Sequence, residues 1–139
     1  MWWVYALISA IFAALVAILA KIGMVGVNSN LATAIRTSVI LFFAWGIVAV
    51  QGHFSDLKTL SQKTWVFLVF SGLATGLSWL FYFRALQIGS ATKVAPIDKL
   101  SLVFTIFLAS LILGEKINLQ IIFGALLMVA GTLLITLAR

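Results

Sequence analysis

Asp98, Ser101 and Thr105 stand three and four residues apart, which on a helix gathers one carboxylate and two hydroxyls on a single face, continued by Ala109. A second polar row, Ser71, Thr75, Ser78 and Tyr82, is spaced four, three and four residues apart, flanked by Trp79 and Phe83, which either form an aromatic wall or pack against lipid. Arg36 lies six residues inside another apolar stretch, about 9 Å along it at 1.5 Å per residue. Side chains of these types in otherwise apolar runs can bind a polar solute, line a path for it, or carry a proton. Enzyme chemistry is not indicated: there is no HExxH, no GxSxG, no phosphate loop and no pair of carboxylates at helical spacing. The chain has no cysteine and one histidine, His53, in a polar stretch, so neither a thiolate nor a metal cluster is expected and no cofactor is implied.

The elements that hold these residues follow from composition. Of 139 residues 64% are hydrophobic and 9% charged, far from the charged coat a water-soluble domain needs. A helix crosses the hydrocarbon with about 20 apolar residues, and five such runs fit with short connections. We expect an all-α integral membrane protein whose helices cover about residues 2–22, 31–50, 65–87, 92–114 and 118–137. The run behind Trp2, Trp3 and Tyr5 exceeds a signal-peptide core and lacks a basic leader, so it is expected to stay as a membrane helix. Ala6, Ala10, Ala13, Ala17 and Ala20 give that helix a smooth stripe, and Gly72 with Gly76, and Gly124 with Gly131, predict further seams of close packing. Ser29 or Asn30 is expected to cap the second helix. The stretch 51–64 is a solvated loop with Asp56, Lys58 and Lys63. The net charge is +6 but the basic residues are scattered, without the patch that nucleic acid binding requires.

Each polar feature has two readings. Arg36 either snorkels to the headgroups or contacts an anion in a water-filled cavity. The hydroxyl rows either bond between helices or line a pathway. Asp98 is costly at membrane depth unless it pairs or meets water, so it is either half of an interfacial ion pair or a binding and proton-coupling carboxylate. Lys99 lies about 100° around a regular helix from it, which favours Arg84, Lys93 or Arg36 as partner. Glu115 closes the fourth helix at the end where the dipole opposes an anion, which predicts a specific partner such as a lysine or a free amide.

From Tyr82 onward the chain resembles a repeat of the EamA family of the drug/metabolite transporter superfamily. The resemblance lies in Arg84-Ala85-Leu86, Gly89-Ser90-Ala91, Leu113-Gly114-Glu115-Lys116-Ile117, and Gly124-Ala125-Leu126 through Gly131, with Arg36 at the opening of the second helix. It implies one five-helix repeat of a ten-helix inverted-repeat transporter, with Gly114, Glu115, Gly124 and Gly131 as structural motif positions and a central cavity alternating between the two sides. Two positions depart from the family pattern. Leu102 stands where many ten-helix relatives carry a proline that kinks the fourth helix, and Asp98-Lys99 replaces commonly apolar residues, so no substrate class is inherited.

A cavity at a repeat interface needs two halves. Five crossings place the termini on opposite faces, with Lys58, Lys63 and Lys116 on the N-terminal side and Lys21, Lys93 and Arg139 on the other. Adding Arg36, Arg84 and Lys99 near helix ends changes three against three to three against six, a weak orientation signal. The expected state is an antiparallel homodimer inserted both ways, or a fixed orientation with a homologous partner subunit. The expected function is transport of small polar or amphipathic metabolites in a prokaryotic inner membrane. A small multidrug exporter of the four-helix kind, a lipid-carrier flippase subunit and a non-transporting scaffold or regulatory subunit are the alternatives; the first helix lacks the carboxylate on which the four-helix exporters rely.

Overall fold

The computed structural model describes residues 1–138, and all regular structure among them is helical. Five helices are long and apolar enough to cross a membrane. They are α1 (Trp2–Gly23), α2 (Ser29–Gln51), α3 (Gln62–Ile88), a broken fourth span made of α4 (Ala91–Asp98), α5 (Ser101–Leu108) and a π-turn (Ala109–Leu113), and α6 (Leu119–Leu137). A short 3₁₀ segment, His53–Thr59, occupies the polar loop between α2 and α3.

Local chemistry sets the boundaries. The α2 cap is Asn28, not Ser29 or Asn30: its side-chain oxygen accepts from the amides of Asn30 and Leu31 at 2.9 and 3.4 Å. Asn28 is the last residue in an extended conformation, so the helix begins at Ser29, two residues before the apolar run suggests. Ser61 does the same for α3, its hydroxyl accepting from the Thr64 amide at 3.1 Å. At α6 the oxygen of Asn118 accepts from the Ile121 amide at 2.9 Å.

The chain divides into two compact units. In the unit Leu19–Gln87, the end of α1, the following turn, α2 and α3 bury Ala20, Met24, Ser29, Thr33, Phe83 and Leu86. Two side chains tie its ends to backbone carbonyls. Lys21 Nζ donates to the Leu86 oxygen and Gln87 Nε2 to the Val27 oxygen, both at 2.6 Å. Trp45 stacks on Phe54 at 5.7 Å, joining α2 to the 3₁₀ segment.

In the unit formed by Met1–Ile18 and the chain from Ile88 onward, α4 packs on α6. The fourth span does not run continuously from 92 to 114. Pro96 lies inside α4, where its missing amide takes the donor from the Thr92 carbonyl, and regular helix ends two residues later at Asp98. Beyond it the Leu100, Leu102 and Val103 amides donate to carbonyls three residues back, those of Ile97, Lys99 and Leu100. That shift removes the usual i+4 donor from the Pro96 carbonyl, and the hydroxyl of buried Thr132 on α6 donates to it at 3.4 Å. A proline-linked break is therefore present although Leu102 stands at the expected kink position. The π-turn ends on Gly114, whose φ of 70° is left-handed, and the amides of Gly114 and Glu115 both donate to Ala109.

The glycine seams are open within one chain. A Cβ added at Gly72, Gly76, Gly124 or Gly131 would meet no atom within 4 Å. Of the alanine stripe only Ala17 and Ala20 are buried; Ala6, Ala10 and Ala13 are exposed. Close helix approach here is confined to the ends tied by polar contacts.

These geometries separate two kinds of glycine. Gly114→Ala forces an alanine into a left-handed conformation and is expected to destabilise the protein by about 1 kcal/mol in reversible detergent unfolding. Gly72→Ala, in open space on a regular helix, is expected to be neutral or stabilising. Equal losses at both sites would contradict this assignment.

Candidate transport pathway

Ser71, Thr75, Ser78, Ser101 and Thr105 make no hydrogen bond between helices among the described residues. On α3 the Thr75 hydroxyl donates to the Ser71 carbonyl, and on α5 the Thr105 hydroxyl donates to the Ser101 carbonyl, each at 2.9 Å. Ser71, Thr75, Ser78, Ser101 and Thr105 are all exposed. Each Ser-x-x-x-Thr pair thus satisfies its threonine hydrogen locally and turns the remaining lone pairs and serine hydroxyls outward. Trp79 and Tyr82 are half-buried beside the α3 row.

Asp98 pairs with the neighbour that regular helix geometry disfavours. Its Oδ2 lies 3.4 Å from Lys99 Nζ, and the two side chains are 34% and 56% exposed. Lys99 keeps a right-handed helical backbone, and its long flexible stem reaches back across the angle between the two positions. At that exposure the pair contributes at most about 1 kcal/mol, which leaves Asp98 accessible to water or solute. Of the other expected partners, Arg84 Nη1 donates to Gln87 Oε1 at 2.9 Å, the Arg36 guanidinium lies over the Phe83 ring, and Lys93 makes no ion pair among the described residues. The remaining ion pair among the described residues joins His53 to Asp56 at 2.8 Å in the exposed loop.

Glu115 does not find the side-chain partner its position suggests. Its carboxylate is exposed and makes no ion pair among the described residues, while its amide closes the turn on Ala109. Gly114 supplies the left-handed residue that makes this turn; Gly124 and Gly131 lie on α6 with open space about them.

Arg36 is brought onto an aromatic group. Its guanidinium carbon is 4.0 Å from the Phe83 centroid, and Phe83, 1% exposed, meets Tyr82 edge to face at 5.3 Å. The sequence marks Arg36 and Tyr82 as polar candidates and Phe83 only as part of an aromatic wall. The available signal for this contact is that Arg36 lies two turns after the start of α2 and Phe83 five residues before the end of α3, toward one side of two consecutive spans. Neither Gln87 nor Thr132 stood out, because each acts on a backbone carbonyl that only the folded chain exposes.

Comparison with known proteins gives this arrangement a context. The chain is 50% identical over 134 residues to a protein of Sinorhizobium sp. named "uncharacterized transporter in cobO 3'region", covering 96% of this chain and 95% of that one. No solved structure matches. The EamA-like transporter family matches residues 1–137, end to end across the five spans described above. With the whole helical set covered by that match, this multi-pass integral membrane protein belongs to the EamA-like transporter family.

Proposed function

We propose that two copies of this chain, inserted antiparallel, carry small polar or amphipathic metabolites across a prokaryotic inner membrane by alternating access. The observation that carries the reading is the pair of outward hydroxyl rows, Ser71-Thr75-Ser78 and Ser101-Thr105, lying bare on membrane spans. Hydrocarbon offers such groups nothing to bond with, so a solute path or a second copy is their fitting environment. The near-absence of buried surface supports the same conclusion: most large apolar side chains on the spans are exposed within a single chain. The similarly long Sinorhizobium relative, named a transporter, supports a unit of this size.

Water accessibility tests the path. In a chain without native cysteine, Thr75→Cys, Ser78→Cys and Ser101→Cys are expected to react with a membrane-impermeant maleimide far faster than Leu73→Cys or Phe107→Cys on the apolar faces. Equal, slow labelling at all five would leave the scaffold reading in place. For Asp98 the expectation concerns coupling. Asp98→Asn should abolish the pH dependence of any solute flux that the wild-type protein shows in vesicles, and an unaltered flux and pH profile would remove Asp98 from that role.

A further inference from the structure

The chain holds three carboxylates, and none of them answers Arg36. Asp56 is bonded to His53, Asp98 is paired with Lys99, and Glu115 is exposed beyond the π-turn. Arg36 is seven residues into α2, about 10 Å along the helix. Within its unit two other cations near the same packed ends bond to neutral acceptors, Lys21 to the Leu86 carbonyl and Arg84 to the Gln87 amide, while Lys58 and Lys63 lie in or beside the polar loop. Arg36 differs. Its Nη1 is covered from solvent and has no hydrogen-bond partner.

A purely snorkelling arginine sends its head group outward to water and phosphate. Here the head lies back on the buried ring of Phe83, 4.0 Å from its centroid. A ring face attracts the cation but accepts no directed N–H bond. It leaves the guanidinium's N–H donors for other acceptors, and that fork matches carboxylate and phosphate oxygens two at a time. The residue as a whole is half-buried, so part of the side chain is open to a solute while Nη1 is covered.

We propose that Arg36, backed by Phe83, is an oxyanion-binding site that takes a carboxylate or phosphate group from outside the chain. The proposal rests on the transporter reading and narrows its substrate class to solutes bearing such a group; the phosphate of an anionic lipid offers the same chemistry.

Binding is read without flux. In nanodiscs of phosphatidylcholine, sodium benzoate and sodium phosphate are each added against sodium chloride at matched ionic strength, and the thermal unfolding midpoint is followed. A saturable rise is expected in the wild-type protein and in a Lys58→Gln loop control. Arg36→Gln should weaken it roughly tenfold or more, as loss of a charged hydrogen-bond donor does, and Arg36→Lys should restore part of it. A midpoint that rises only when phosphatidylglycerol replaces the neutral lipid, and only with Arg36 present, assigns the same site to lipid phosphate. If Arg36→Gln does not fold, the ¹⁵N guanidinium signals of the wild-type protein decide, one arginine shifting with benzoate or phosphate but not chloride. No such response to anion or lipid in the wild type, or a response that Arg36→Gln keeps in full, overturns the site. A protein that binds the anion yet moves no solute would contradict the transporter reading and leave this site standing; a working transporter indifferent to anions would do the reverse.

Discussion

Inside a bilayer a polar group has no water to fall back on, and this chain meets that constraint with backbone carbonyls rather than with counter-charges. Lys21, Gln87 and Thr132 each donate to a main-chain oxygen on a distant stretch of chain, those of Leu86, Val27 and Pro96. Thr33, Thr37, Thr75, Thr105 and Thr136 do so one turn back on their own helices. Nine cations against three carboxylates make the strategy necessary. The donors that reach distant carbonyls are the ones that hold elements together, which is why the buried residues of the Leu19–Gln87 unit gather where Lys21 and Gln87 reach across.

The broken fourth span shows how one local change propagates. Regular helix stops at Asp98, the amides beyond it shift to nearer carbonyls, and the Pro96 oxygen left without its helical donor accepts from Thr132. Asp98 and Lys99 then sit at a turn, accessible and only loosely paired. Irregular backbone at membrane depth is tolerated where it lines a cavity or lies against protein, and a carboxylate at such a turn is well placed to meet a solute. Elsewhere the surface is bare: the glycine seams of α3 and α6 are unfilled, and the hydroxyl rows look outward. A second copy set against these faces would give both features a partner.

Much of this was legible in the sequence because membrane spans announce themselves by length and apolarity. The five runs, the polar rows of Ser71-Thr75-Ser78 and Ser101-Thr105, and the family resemblance in Leu113-Gly114-Glu115 all follow from residue type and spacing. Partners were not legible. Helical geometry argued against Asp98–Lys99, and the reach of a flexible lysine stem outweighs it. Packing motifs such as Gly72-x-x-x-Gly76 name a face suited to close approach without saying whether the neighbour belongs to the same chain. Capping also turned on a single residue: three candidates in Asn28-Ser29-Asn30 have suitable side chains, and backbone conformation selects the first.

The central proposal is that one chain is half of the machine and supplies its own other half by inserting both ways. Topology tests it most directly. A cysteine at Asn28 and, separately, one at Ser61 lie in connections on opposite sides of α2, and an impermeant reagent reaches only those facing out of the cell. The proposal predicts that about half of each population labels. Full labelling at one position with none at the other would contradict it, and would call for a second, oppositely oriented subunit.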